Sequence, residues 1–135
     1  MKVLTPALRT ELIHLALLMR QRAYCPYSGY QVGAALLAED GTLYGGCNVE
    51  NASYSGTICA ERVALVKAIS EGTQRFSALV VATANGGSPC GICRQMLYEF
   101  APDLPIILVD AAGSVRAEHR LRDLLPDGFG AAFLE

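Results

Sequence analysis

Two short, continuous apolar runs limit the folds open to this chain: ALVVATA at residues 78–84 and PIILVD at residues 105–110. Strands that are buried on both faces have this uninterrupted apolar pattern, because neither face meets water. A segment with helical character, residues 90–100, separates the two runs. Such alternation of strands and helices indicates a sheet that is covered by helices on both faces.

The N-terminal part of the chain predicts a helix followed by a hairpin. Thr5 and Pro6 suit the cap and the first position of a helix that extends to about Ala23. The segments QVGAALLAED and LYGGCNVE then flank Asp40-Gly41, a strong hairpin signal. An antiparallel pair beside the buried runs makes the predicted sheet mixed.

Further segments complete the predicted order α-β-β-α-β-α-β-β-α. We expect a helix from Cys59 to about Glu71, a turn with a short edge strand over residues 111–117, and a final short helix over residues 119–125. The predicted fold class is α/β: a three-layer α/β/α arrangement with a mixed sheet of about five strands.

Composition narrows the functional classes. The 135 residues suit one domain, 1–135, and the net charge of −2 without a basic stripe argues against a nucleic-acid partner. No apolar run reaches about 18 residues, so we expect no membrane span. Residues 1–10 lack a signal-peptide pattern. Five cysteines is an odd number, which favours reduced thiols or a metal site and makes the cytoplasm the expected location.

Three cysteines stand at the starts of two predicted helices: Cys59 in CAE, and Cys90 and Cys93 in SPCGIC. Helix starts that follow strands cluster at one end of an α/β sheet, so the two segments could meet. Three thiolate ligands would leave the fourth tetrahedral position of a zinc ion open, as in catalytic zinc sites. Helix N-termini also favour the thiolate form.

Two charged residues follow Cys59. Glu61 is poorly placed to ligate beside Cys59 but can point into the cavity and exchange protons with water there. A zinc ion with three thiolates carries a net charge of −1, and the guanidinium of Arg62 could reduce that charge by hydrogen bonding to sulfur. Arg94 is a second candidate for this role.

Together these segments resemble a known family. The pattern CAE…PCxxC, with CPYSGYQVGAALL, GCNVENASYSGTICAER, SPCGICRQMLYEF and LLPDGF, is similar to zinc-dependent cytidine deaminases of the small homotetrameric type, in the cytidine/deoxycytidylate deaminase superfamily. The resemblance runs from about Tyr24 to Phe129. It implies hydrolytic deamination of cytidine and 2'-deoxycytidine to uridine and 2'-deoxyuridine in pyrimidine salvage.

The resemblance also assigns roles to residues. It implies one zinc ion per subunit, bound by Cys59, Cys90 and Cys93, with Glu61 moving protons between the attacking water and ring nitrogen N3. It implies a homotetramer with shared active sites. The implied substrate contacts are the ribose 3′-hydroxyl for Asn48 and Glu50, the exocyclic amine for the Ala60 carbonyl, the 5′ side of a neighbouring subunit's sugar for Ala52 and Tyr54, the edge of the base for Tyr30, and stacking on the base of another subunit for Phe129.

Three positions depart from the family pattern. The family usually has Phe where Tyr30 stands, and a Pro-containing loop where this chain has TANGGS before the second motif. PDGF replaces a more usual Gly-Ala before the aromatic residue at position 129.

Alternatives differ in the features they require. A deaminase of the same scaffold could act on a different amino-pyrimidine nucleoside or analogue. A structural zinc module would need a fourth protein ligand, and the other candidates, Cys25, Cys47, His14 and His119, have no suitable spacing. A thiol–disulfide protein would use Cys90 and Cys93 and give Cys59 no role.

Overall fold

The computed structural model describes residues 4–135, so the first three residues of the segment considered for a signal peptide lie outside it. The helices are Pro6–Gln21 (α1), Ala60–Ser70 (α2), Gly91–Phe100 (α3) and Leu121–Leu124 (α4). The strands are Gly33–Ala38 (β1), Leu43–Cys47 (β2), Phe76–Ala82 (β3), Pro105–Val109 (β4) and Val115–Arg120 (β5). Short 3-10 turns occur at Tyr54–Gly56 and Ala131–Leu134. The predicted element order is confirmed.

The five strands form one mixed sheet in the order β2-β1-β3-β4-β5. β1 pairs antiparallel with both β2 and β3, β3 and β4 are parallel, and β5 returns antiparallel to β4. The parallel pair consists of the two apolar runs, and every residue of β3 is buried. The sheet is therefore mixed, as the hairpin at residues 40–41 predicts.

Helices cover both faces of the sheet. α1 packs on the face that presents Ala35, Leu37 and Val80. α2 and α3 pack on the opposite face, against Leu36 and Leu79 among others. This is the predicted three-layer arrangement. Within residues 4–135, no helix has the length and apolar character needed to cross a bilayer.

The three long helices begin in two different ways. Thr5 caps α1, and its hydroxyl accepts a hydrogen bond from the Leu8 N–H at 3.2 Å. Cys59 and Cys90 occupy the cap positions of α2 and α3, and neither side chain makes a capping hydrogen bond. Because these thiols do not bond to the first helical turn, they are available for another partner at the sheet edge.

Two consecutive glycines bring β2 close to helices on both faces. A Cβ atom on Gly45 would lie 2.8 Å from the Met19 side chain of α1. A Cβ atom on Gly46 would lie 2.5 Å from the Ala64 nitrogen and 2.6 Å from the Ala60 oxygen, both in the backbone of α2. The distance between β2 and α2 therefore depends on the absence of a side chain at position 46.

The C-terminal boundaries differ from the prediction. The edge strand is β5, which pairs His119 with Ile106, so the helix expected over residues 119–125 is reduced to the four residues of α4. The Asp110 side chain accepts hydrogen bonds from the N–H groups of Ala112 and Ser114, which extends the turn. The strand therefore ends at Arg120, three residues beyond the predicted range of 111–117.

Candidate active site

The three predicted ligand cysteines meet where α2 and α3 begin. The Sγ atoms of Cys59 and Cys90 are 3.7 Å apart, and those of Cys90 and Cys93 are 3.6 Å apart. A tetrahedral zinc ion with Zn–S bonds of about 2.3 Å requires S···S separations of about 3.8 Å. The sulfur atoms therefore already have the spacing of three ligands on one zinc ion.

The donor set is incomplete for a closed site. Across residues 4–135, the cluster of metal-ligating side chains contains these three cysteines and no fourth His, Cys, Asp or Glu. A structural zinc module would have a fourth protein ligand. Cys59 lies beside Cys90 and Cys93. A thiol–disulfide protein would use only Cys90 and Cys93, so the position of Cys59 argues against that alternative.

The protonation states of the thiols depend on one another and on Arg62. The hydrogen bond from Cys93, followed by the one from Arg62, lowers the pKa of Cys59 to about 5. The same interaction with Cys59, together with burial, raises the pKa of Cys93. The Cys59 thiolate is therefore stabilised by hydrogen bonds from Cys93, Arg62 and Cys90. A bound zinc ion would hold all three sulfurs as thiolates.

Glu61 lies in the first turn of α2 and is only 4% exposed. Burial, with a contribution from the nearby Cys59, raises the pKa of its carboxyl group to about 7. A carboxyl group that is neutral or ionised with similar ease can both accept and return a proton near neutral pH. This is the property that a proton shuttle requires.

A cavity of about 300 Å³ adjoins the cysteine cluster. Its lining includes Cys59, Glu61 and Cys90 at the metal end, and Asn48 and Glu50 from the segment after β2. Tyr30 and Thr57 also line it. The fold therefore brings six of the predicted site residues, 30, 48, 50, 59, 61 and 90, to one cavity.

Asn48 is buried, with 7% exposure, and its amide is partly engaged. Its Oδ1 accepts a hydrogen bond from the Val32 N–H at 2.9 Å, and its Nδ2 donates to the Tyr30 carbonyl at 2.9 Å. A carboxamide has two N–H donors and two lone pairs on oxygen, so one donor and one acceptor remain. Asn48 therefore fixes the segment before β1 and keeps one N–H for a ligand.

Glu50 is held in a similar way from the other side of the cavity. Its carboxylate accepts hydrogen bonds from the N–H groups of Tyr27 and Ser28 and from the Ser28 hydroxyl. These bonds, with the Ser28 hydroxyl first, lower the pKa of Glu50. The carboxylate is thus ionised and oriented, with acceptor capacity left for a hydroxyl group.

The remaining predicted residues lie away from the cavity or at its edge. Arg62 is half-buried, and its Nη2 donates to Cys59 Sγ at 3.5 Å. Tyr54, 74% exposed, lines a neighbouring cleft, and Ala52 is exposed on the same loop. Phe129, 53% exposed, stacks on Phe133 near the C-terminus.

The structure also gives the surroundings of two further predicted residues, Ala60 and Arg94. Ala60 is fully buried, and its carbonyl oxygen faces Gly46 of β2. Arg94 does not contact the sulfur atoms. Its guanidinium donates to the Pro89 carbonyl at 2.7 Å, the Ser88 hydroxyl at 3.0 Å and the Leu124 carbonyl at 2.8 Å. Arg94 thus holds the backbone that leads into Cys90.

Sequence reasoning missed several cavity residues. Ser28, Thr83, Gly87 and Ser88 line the cavity but carry no motif of their own. Their signal is positional: Thr83 immediately follows β3, and the carboxyl ends of parallel strands are where sites form in α/β sheets. Thr83, Gly87 and Ser88 lie in the segment after β3, whereas Ser28 lies in the segment before β1.

Comparisons with known proteins agree with this site. Residues 7–108 match the family model described as "Cytidine and deoxycytidylate deaminase zinc-binding region". A cytidine deaminase of Sporosarcina psychrophila is 50% identical over 113 residues, which cover 82% of each chain. One from Halalkalibacterium halodurans is 46% identical over 126 residues, covering 91% of this chain and 95% of the relative.

The same relationship is found at the level of structure. The crystal structure of cytidine deaminase from Burkholderia pseudomallei superimposes with a TM-score of 0.84 at 44% identity, covering 89% of this chain and 98% of that one. The chain belongs to the cytidine and deoxycytidylate deaminase family, and its three clustered cysteines fit the zinc site that defines the family.

Proposed function

We propose that the chain catalyses the hydrolytic deamination of cytidine and 2'-deoxycytidine to uridine and 2'-deoxyuridine. The observation that carries this proposal is the meeting of three thiols at zinc-ligand spacing with a buried carboxylate in one cavity. The named relatives and the superimposed structure are cytidine deaminases, which supports this substrate class. The reaction would place the protein in pyrimidine salvage.

Zinc bound by Cys59, Cys90 and Cys93 would make a water molecule nucleophilic at neutral pH. Glu61 would accept a proton from the attacking water and deliver it to N3 of the base, while the water oxygen forms a bond to C4. Glu61 then carries a second proton to the amino group, the C4–N4 bond breaks, and ammonia leaves. The water oxygen becomes the 4-carbonyl of the product, so the overall change is cytidine plus water to uridine plus ammonia.

The other cavity residues bind the nucleoside in this proposal. The free N–H of Asn48 and the ionised carboxylate of Glu50 offer a donor and an acceptor to a sugar hydroxyl. The ring of Tyr30 borders the base. The Ala60 carbonyl, at the start of the helix that carries Glu61, is proposed to accept a hydrogen bond from the exocyclic amine.

We further propose a homotetramer with shared active sites. The exposed ring of Phe129 lies outside the chain's own cavity, which supports its delivery to a neighbouring subunit. Tyr54 and Ala52 would likewise reach a neighbour's sugar. All five cysteines are free, which supports a reducing location such as the cytoplasm, and we treat residues 1–135 as one catalytic domain.

The test is whether the protein converts cytidine in a zinc-dependent way. Conversion is measured as the change in ultraviolet absorbance of the amino-pyrimidine. The purified protein is assayed as loaded with zinc, after chelator treatment, and after zinc is restored, with the variant Glu61→Gln in parallel. We expect uridine and ammonia in equal amounts, loss of turnover with the chelator and recovery with zinc.

Two outcomes would contradict the proposal. Turnover that survives complete zinc removal would refute the metal's role. If the zinc-loaded protein leaves cytidine and deoxycytidine unchanged but deaminates another amino-pyrimidine nucleoside or analogue, the substrate assignment is wrong and the scaffold assignment stands.

A further inference from the structure

The loop of residues 84–89 forms one wall of the cavity and leads directly into Cys90. Gly87 and Ser88 of this loop line the cavity, as Tyr30 does. The Tyr30 hydroxyl crosses to the loop and donates a hydrogen bond to Asn85 Oδ1 at 2.7 Å. Residues 55 positions apart in the chain are thereby joined beside the cavity.

We propose that the hydroxyl of Tyr30 is a positioning group that holds the 84–89 loop against the cavity and so sets the affinity for the nucleoside. The inference rests on the proposed function for its kinetic part. It assigns the ring and the hydroxyl of Tyr30 different tasks: the ring borders the substrate, and the hydroxyl holds the adjoining 84–89 loop.

The loop that accepts the hydroxyl's hydrogen bond is itself held in place, and its backbone packs on the hydroxyl oxygen. Thr83, only 2% exposed, accepts a hydrogen bond from the Gly87 N–H at 2.8 Å and lies 3.5 Å from the same Asn85 oxygen. A Cβ atom on Gly87 would lie 2.6 Å from the Tyr30 hydroxyl oxygen, so the loop backbone is packed directly on that oxygen. Asn85 also forms a backbone bridge with Asp110.

The backbone of Tyr30 is also fixed by hydrogen bonds, so the hydroxyl extends from a segment that is held in place. The Tyr30 carbonyl accepts from Asn48, and its N–H donates to the Ser28 hydroxyl, which in turn bonds to Glu50. Tyr30 therefore connects the two proposed sugar-binding residues to the loop that carries a metal ligand. Arg94 holds the far end of that loop at residues 88 and 89.

The test compares Tyr30→Phe, Asn85→Ala and the double variant in the zinc-loaded enzyme, with Tyr24→Phe as the matched control at an exposed tyrosine outside the cavity. One lost hydrogen bond corresponds to a rise in KM of about three- to tenfold. We expect that rise in Tyr30→Phe with kcat changed less than twofold. We expect no further rise when Tyr30→Phe is added to Asn85→Ala, because both remove one interaction.

A second readout does not depend on turnover. Amide hydrogen exchange at residues 84–89 should become faster in Tyr30→Phe and remain unchanged in Tyr24→Phe. If hydrogen exchange at residues 84–89 is faster in Tyr30→Phe but the wild type does not deaminate cytidine, the proposed function fails and the positioning role stands. Unchanged exchange in Tyr30→Phe, or additive effects in the double variant, would overturn the proposal, since additivity means that the hydroxyl acts elsewhere.

Discussion

The Nη2 atom of Arg62 lies 3.5 Å from Sγ of Cys59 and donates a hydrogen bond to it. The same nitrogen lies 3.4 Å from the Thr57 carbonyl, so the guanidinium connects a metal-ligand sulfur to the loop before α2. The guanidinium thus places a positive charge beside the three cysteines. These cysteines, as thiolates around a zinc ion, would carry a net charge of −1 together with the metal.

Arg62→Lys should retain zinc and lower kcat. Lysine keeps the charge, but its ammonium group lacks the coplanar N–H groups with which Arg62 Nη2 faces Cys59 Sγ and the Thr57 carbonyl. Changes next to a ligand typically cost about 10- to 100-fold in activity or metal affinity. The measurement is kcat together with zinc content by atomic absorption. Arg75→Lys, at an exposed arginine, is the control. Wild-type kcat in Arg62→Lys would show that charge alone suffices.

Glu61→Gln should abolish most turnover without loss of zinc. Glutamine has nearly the same shape but cannot accept and return a proton, and general acid–base catalysis contributes about 10²- to 10⁴-fold. Steady-state kinetics and zinc content check this prediction. The exposed Glu99→Gln on α3 should behave as wild type. A Glu61→Gln enzyme within tenfold of wild type would remove this residue from the mechanism.

Cys93→Ala should lose the metal, whereas Cys25→Ala and Cys47→Ala should keep it. Only Cys59, Cys90 and Cys93 converge among the cysteines, all of which lie in the described part of the chain. Metal binding also stabilises the folded state, so zinc removal from the wild type should lower Tm. Zinc content and thermal unfolding are the measurements. Zinc loss from Cys25→Ala or Cys47→Ala would reveal a different ligand set.

The Arg94→Lys enzyme should lose zinc to a chelator faster than the wild type, and its KM should be higher. Lysine cannot satisfy the three oxygens that the guanidinium holds, so residues 88 and 89 lose their anchor before Cys90. The neighbouring Gln95 donates to the Phe129 carbonyl at 2.9 Å. Gln95→Ala should therefore affect KM alone. Equal rates of zinc release from wild type and Arg94→Lys would contradict the anchoring role.

Phe129→Ala should raise KM with little change in Tm. Aromatic stacking on a base contributes about 1–3 kcal/mol, which corresponds to roughly a five- to 160-fold rise in KM. The ring is 53% exposed in the isolated chain, so its loss creates no core cavity. Phe133→Ala removes only its stacking partner and should have a smaller effect. Sedimentation shows whether the oligomer persists, and unchanged kinetics in an intact oligomer would refute the stacking role.

The fold and the metal cluster were predictable because their signals are local and strong. Apolar runs identify β3 and β4, and a two-residue turn identifies the β1–β2 hairpin. The spacing of Cys90 and Cys93 places both sulfurs on one side of a helix start. The meeting of these two with Cys59 needed only the rule that strand ends gather at one edge of a sheet.

Contacts between distant loops were not predictable. Sequence analysis marks Tyr30 and the TANGGS loop as separate departures from the family pattern, and the structure shows that they are hydrogen-bonded to each other. Nothing in either segment specifies the other, since the contact depends on where the sheet places both loops. The two hydrogen bonds of the Asn48 side chain, with Val32 and Tyr30, likewise depend on where the sheet places separate segments.

For anyone who wishes to re-engineer substrate choice, the glycine pair of β2 sets a boundary on the usable mutations. A methyl group at position 46 would overlap the backbone of α2, and that helix begins beside Cys59 and carries Glu61. A library that varies this position would therefore sample displaced metal sites rather than new pockets. Diversity is better placed in the 84–89 loop ahead of Ser88 and Pro89, which Arg94 holds, so that the loop can change while α2 stays at its present distance from the sheet.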